Sequence, residues 1–145
     1  MKRQSYLLGF LVADIARLMR RAYKQRQQRS GLTVAQARAL VQISRREGVR
    51  QVDLAEMLEV QPITLARFID KLAQSGLVER RPDPTDRRAY LVYLTRAAAP
   101  HLSAIEAVAA SIRADALRGL DSREASLVVD ALQKIHNNLA NGGIG

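Results

Sequence analysis

Residues 61–95 read QPITLARFIDKLAQSGLVERRPDPTDRRAYLVYLT, and this stretch decides the fold. Pro62 suits the first position of a helix, where its missing N–H is not needed. Leu65, Phe68, Ile69 and Leu72 follow at offsets of 3, 4 and 7, one buried helical face. Gly76 followed by apolar Leu77 reads as a Schellman stop. Two short β-prone runs come next, Leu77 to Arg81 and Ala89 to Thr95, around a polar turn from Pro82 to Arg88 that holds two prolines. Such runs about a turn predict a hairpin, the only strand-like part of the chain.

Upstream, Thr33 stands as an N-cap with Gln36 three residues on, a capping box. The helix it opens runs through Ala37, Leu40, Val41 and Ile43 and ends near Gly48; a short helix over Val52 to Leu58 follows. Three helices and a hairpin make a winged helix-turn-helix. Before it, Leu8, Leu11, Val12, Ile15, Leu18, Met19 and Ala22 form one amphipathic stripe, with Arg17, Arg20, Arg21, Lys24, Arg26 and Arg29 mostly off it. After it, Thr95 is the expected cap of a helix through Leu102, Ile105, Ala109, Ile112 and Ala116, with Pro100 able to bend its start. Asp121 and Glu124 form a second capping-box pattern. Ala125, Val128, Leu132, Ile135 and Leu139 then give a heptad-like seam that wants a partner helix. The tail, Asn141 to Gly145, is expected to fray.

The expected class is therefore mainly α: a winged helix-turn-helix with flanking helices forming a dimerisation bundle. The boundaries place residues 31–95 in the DNA-binding domain and residues 1–30 and 96–145 in a helical dimerisation region. Too little chain remains to cover the outer apolar stripes, so a second copy is the natural cover.

Composition agrees with this reading. A formal net charge of +9, from 23 Lys+Arg against 14 Asp+Glu, favours a polyanionic partner through phosphate contacts and counterion release. With 48% hydrophobic but only 4% aromatic residues, the core is built mostly from aliphatic side chains. There is no cysteine, which excludes disulfides, thiolate metal sites and a cysteine nucleophile. The basic opening from Met1 to Ser5 resembles the start of a secretion signal. However, Tyr6 to Ala13 is interrupted by Gly9 and followed by Asp14 and Arg17, with no small-residue cleavage site. No apolar run reaches the ~18–20 residues of a membrane span, so no membrane role and a cytoplasmic, nucleoid-associated location are expected.

The second helix of a helix-turn-helix lies in the major groove with its early residues at the base edges. With Leu65, Ile69 and Leu72 inward, Thr64, Arg67 and Lys71 form the outer stripe. Arg67 suits bidentate pairing with guanine, Thr64 a phosphate or a thymine methyl, Lys71 a phosphate, and Gln61 an adenine or the backbone. A solvated helix face would carry similar residues; the cationic hairpin tip that follows tips the balance. Arg87 and Arg88 at that tip, with Arg80 and Arg81 on the strand behind, suit a minor groove about 6 Å wide. Asp86 is expected to hold one of the tip guanidiniums, leaving the other to enter the groove.

Leu32-Thr33, Leu54-Ala55, the run from Gln61 to Arg67, Asp70-Lys71-Leu72, Gly76-Leu77-Val78 and above all Asp86-Arg87-Arg88 leading to Leu94-Thr95 resemble the MarR family, in particular its SlyA-like branch. The resemblance implies a triangular homodimer on a pseudo-palindromic operator, acting in repression or antirepression, often relieved by small phenolic or aromatic carboxylate ligands. It implies Arg67 as the recognition-helix arginine, Arg87 and Arg88 as wing arginines, and Gln51 as a phosphate contact. By position it also implies an effector pocket whose walls include Arg20, Tyr23 and Thr33, with Arg20 as carboxylate partner. Two departures stand out. An acid that some members carry where Gln61 stands is absent, and so are the cysteines of redox-sensing members.

Enzyme function has no support. His101 and His136 lie on different helices without ligand-spaced partners. No nucleophile elbow or phosphate-cradling glycine loop is present, and Asp121 with Glu124 is a cap rather than a catalytic pair. No cofactor or metal is expected. The competing functions are a winged-helix dimer acting as a protein adaptor and a non-specific architectural DNA binder.

Overall fold

Pro62 opens α4, Pro62–Gln74, with Gln61 as its N-cap. The helix stops as its C-terminal residues dictate. Gly76 takes φ +74, its N–H donates to the Ala73 carbonyl, and Leu77 N–H donates to the Leu72 carbonyl, the paired bonds of a Schellman motif. The structure, a computed structural model, describes residues 2–27 and 31–142, with side chains from Tyr6 onward. The chain forms two compact units, Met1–Ala110 and Ser111–Gly145.

In the first unit α1, Lys2–Arg26, precedes α2, Val34–Arg45, and α3, Gln51–Met57. Arg29, expected on the end of α1, lies outside the described residues. Thr33 caps α2 through both bonds of the capping box with Gln36. The core is aliphatic: Leu40 and Ile43 from α2, Leu54 from α3, Leu65, Ile69 and Leu72 from α4 and Val92 from the sheet are all fully buried. Their packing sets the rotation of α4, because the stripe at offsets 4 and 7 from Leu65 can meet the core on one side only.

The sheet departs from expectation in two ways. It has three strands: β1, Val49–Arg50, β2, Val78–Asp83, and β3, Asp86–Leu94, in the antiparallel order β1-β3-β2. The hairpin is therefore not the only strand-like segment. Val49 is buried and pairs with Val92, and Gly48 N–H donates to the Val92 carbonyl at 2.9 Å. Gly48 takes φ +81, and a Cβ there would stand 2.9 Å from Tyr93 Oη, so only glycine fits without strain or a shift. The hairpin turn is also tighter than a loop from Pro82 to Arg88. The strands run on until Asp83 faces Asp86, leaving Pro84 and Thr85 to turn the chain. The Asp83 carboxylate makes this possible by accepting from Thr85 N–H at 2.9 Å and Thr85 O–H at 2.8 Å. Pro82 is tolerated because β2 is an edge strand.

Thr95 does not cap the next helix. Its hydroxyl donates to the Gly76 carbonyl and its N–H to the Leu77 carbonyl, tying the end of β3 to the end of α4. Helix α5, Ala98–Ala116, starts three residues later, and Pro100 falls in its first turn, where no intrahelical donor is lost. Ala98, Leu102 and Ile105 join the core.

The second unit holds α6, Ser122–Ala140, capped by Asp121 and Glu124 in a full capping box. Of its seam, Val128, Leu132 and Leu139 are exposed, as are the flanking Leu127 and Val129, while Ala125 and Ile135 are half-buried. Asn141 is its C-cap, and the last three residues of the expected frayed tail lie outside the described residues.

Candidate nucleic-acid interface

With Leu65, Ile69 and Leu72 inward, α4 turns Gln61, Pro62, Ile63, Arg67 and Lys71 to solvent, while Thr64 is half-buried. The Gln61 side chain makes no capping bond, so its amide is available. A shallow cleft of about 410 Å³ along this side is lined by Thr64, Arg67, Phe68, Asp70, Lys71 and Gln74. Neither Arg67 nor Lys71 has a side-chain partner among the described residues. Ile63 was not singled out in the sequence, yet it is 67% exposed in the first turn.

The arginines of the hairpin divide sharply. Arg80 points inward from β2: Nε donates to Gln51 Oε1 at 2.8 Å, Nη1 to Asp70 Oδ1 at 2.6 Å, and Nη2 to the Ala66 carbonyl at 3.1 Å. One side chain thus joins the wing to α3 and to α4. The expected phosphate contact Gln51 sits at the start of α3 and shares its amide oxygen with this brace. Arg81, next on the strand and so on its other face, is held by Glu79 and lies over the Tyr93 ring, 3.9 Å from the centroid.

Arg50 was not foreseen either. Its Nε is 3.0 Å from Asp83 Oδ2, and Nη2 donates to Thr85 Oγ1 at 3.4 Å, so β1 clamps the hairpin turn. Asp83 is buried, and its carboxyl is held below the usual carboxylate range, first by the Thr85 N–H, then by its hydroxyl, with the Arg50 charge assisting. The only sequence signal was Asp-Pro-Thr, a turn with a carboxylate acceptor; its cationic partner comes from a strand too short to read.

At the tip, Asp86 Oδ1 accepts from the Arg88 backbone N–H at 2.9 Å rather than holding a guanidinium. The expected split, one arginine structural and one free, is therefore not found. Both Arg87 and Arg88 are exposed, and neither guanidinium has a partner among the described residues.

The sequence profile of the MarR family matches residues 32–90, from the start of α2 through the wing tip into β3. The transcriptional regulator PA3341 superposes with TM-score 0.78 at 38% identity over 92% of this chain and 98% of its own. A crystal structure of MarR gives TM-score 0.84 at 28% identity, over 92% and 91%. A mutant MarR from E. coli complexed with operator DNA gives 0.74 at 25%, over 93% and 97%. The chain belongs to the MarR family.

It is thus a MarR-family transcriptional regulator with a winged-helix DNA-binding fold. For a MarR-family chain, the residues suggested for an effector are only partly brought together. A cleft of about 520 Å³ is lined by Lys24, Gln27, Gly31, Leu32, Thr33, Val34 and Ala35. Thr33 is in it, with its hydroxyl already accepting from Gln36 N–H. Arg20 and Tyr23 are not among the lining residues, and Lys24 is the cation there. Arg20 is exposed. The Tyr23 hydroxyl is buried without a partner among the described residues, and burial raises its pKa. No cluster of His, Asp and Glu suited to a metal occurs among the described residues, and no described helix is long and apolar enough to cross a membrane.

Proposed function

We propose that this MarR-family protein is a homodimeric, sequence-specific regulator that binds a pseudo-palindromic operator in double-stranded DNA. In this reading α4 enters the major groove, with Arg67 on guanine and Gln61, Pro62 and Thr64 close to the base edges or backbone. Lys71 reaches phosphate, and Gln51 does so from the start of α3. Arg87 and Arg88 enter the minor groove from the wing, and Asp86 orients them by capping the Arg88 backbone. Arg80 and Arg81 act as braces behind that surface.

One observation carries the proposal. Arg50, Arg80 and Arg81 are each matched by a carboxylate, whereas Arg67, Lys71, Arg87 and Arg88 have no counter-charge among the described residues. Cations left unmatched on a slim hairpin and on a groove-sized helix suit a phosphate-lined partner.

Self-association is supported by two apolar faces. On α1, Leu8, Leu11, Val12, Ile15, Leu18 and Met19 are all exposed, and on α6 so are Val128, Leu132 and Leu139. A second copy would cover both, with residues 1–30 and 96–145 forming the dimerisation region and 31–95 the DNA-binding domain. A small aromatic carboxylate is the proposed effector at the Thr33 cleft, paired with Lys24 and releasing the operator from a repressor or antirepressor. DNA as partner sets the location as the cytoplasm, at the nucleoid.

The test is an equilibrium titration of the dimer against an operator selected from a random duplex pool. Half-sites about 34–36 Å apart and a steep loss of affinity with salt are expected. Arg67→Ala should cost about 1–3 kcal/mol and relax preference at one base pair. Equal affinity for random duplex at physiological salt would favour an architectural binder. A stable dimer that shifts no DNA even at low salt would favour a protein adaptor.

A further inference from the structure

We propose that Ile63 reads the C5-methyl group of one thymine in each half-site, and is a specificity-determining residue of α4. This rests on the DNA-binding reading above. Ile63 is the second residue of α4, directly after Pro62, and it is 67% exposed. Isolated exposed apolar residues are ordinary, so the case lies in the position. Core packing does not account for the residue: Ile63 is two places before buried Leu65, roughly 200° around the helix from it. Helix propensity does not either, because a β-branched side chain loses χ1 freedom in a helix and the first turn favours acids.

Its neighbours on that face do suggest a role. Arg67 is four residues on, one turn further along the same exposed side, and Gln61 precedes the proline with an uncommitted amide. Helical side chains lean toward the N-terminus, so Ile63 projects from the leading end of α4, the end that meets base edges in this docking mode. Thymine is the one DNA base that presents a methyl group in the major groove. A stiff branched side chain can cover that methyl with little loss of rotamer freedom. Arg67 would then fix a guanine while Ile63 distinguishes an adjacent thymine from cytosine.

The experiment uses the full-length dimer and the operator selected from a random pool. Each thymine of one half-site is replaced in turn by deoxyuridine, which removes the methyl and keeps the pairing. Dissociation constants are measured for the wild type, Ile63→Ala and Ile63→Val. At one position the wild type should lose about three- to ten-fold on methyl removal. Ile63→Ala should bind the thymine operator more weakly by a similar factor and no longer distinguish thymine from uracil there, while Ile63→Val keeps most of the distinction. The idea is overturned if no thymine is methyl-sensitive, or if Ile63→Ala preserves the wild-type ratio at the sensitive position. In both cases operator binding itself persists, so the wider DNA-binding reading stands. A wild type that binds no duplex removes both.

Discussion

Replacing Arg80 by Met keeps an unbranched apolar stem of similar reach to Nε and removes the guanidinium. Three bonds are lost, to Gln51, Asp70 and the Ala66 carbonyl, at 2.8, 2.6 and 3.1 Å. They are not equal. The Asp70 side chain is 55% exposed, so its carboxylate regains water and the ion pair is worth at most about 1 kcal/mol. The bonds to Gln51 and Ala66 are charge-assisted and part-buried, adding roughly 0.5–1 kcal/mol each after rehydration of their partners. The sum is about 1–3 kcal/mol, which for a chain of this size lowers the melting midpoint by roughly 3–10 °C at fixed protomer concentration. The same variant separates a brace from a phosphate ligand. A brace leaves the dependence of log affinity on log salt unchanged while affinity falls, because wing and α4 lose their fixed spacing. A phosphate ligand would reduce the salt slope by about 1 and leave the midpoint alone. That second pattern would refute the assignment of Arg80 to the interior.

Two further outcomes follow from the same surface. Asp83 titrates below its ordinary range in the folded protein, so its contribution is present above about pH 4 and is lost as pH falls through the folded value. Melting midpoints of wild type and Asp83→Asn should therefore converge as pH is lowered from about 5 through the folded value; a constant gap would show that the Arg50 clamp and the Thr85 bonds do not depend on its charge. Glu59 occupies the turn between α3 and α4 at φ 53, the left-handed region that favours glycine. Glu59→Gly should stabilise by about 0.5–1 kcal/mol, relief of strain outweighing the entropy gained by the unfolded chain, and chemical denaturation would show it as a raised midpoint with unchanged slope.

What could be read without coordinates was local. The boundaries of α4 follow from Pro62 and from the Gly76-Leu77 stop, and the caps at Thr33 and Asp121 each need only a partner three residues away. The parts missed depend on partners distant in the chain. Strand β1 is two residues long and carries no periodicity; it exists because Val49 and Arg50 lie beside Val92 and Leu91. The turn looked like a long polar loop because proline and aspartate mark loops, yet Asp83 supplies the acceptors that let the strands continue to it. Thr95 has the composition of a helix cap, but the chain reaches it while still bonded to the end of α4.

The arginines carry the same lesson into function. In sequence, Arg80-Arg81 and Arg87-Arg88 are the same dipeptide on either side of a turn, and nothing local separates them. Strand alternation does. Two successive residues of β2 face opposite ways, so Arg80 meets Gln51 and Asp70 while Arg81 meets Glu79 and Tyr93, and both charges are matched within the fold. Arg87 and Arg88 lie at the start of β3, and both carboxylates of the turn are engaged elsewhere, Asp86 by the Arg88 backbone N–H and Asp83 by Arg50 and Thr85. The first pair and Arg50 therefore fix the wing's position, and the second supplies its charge. A net charge of +9 counts these arginines alike, although only the unmatched ones can release counterions from a duplex without first breaking an internal pair. The salt slope of operator binding should accordingly respond to Arg67, Lys71, Arg87 and Arg88 and be insensitive to Arg50, Arg80 and Arg81.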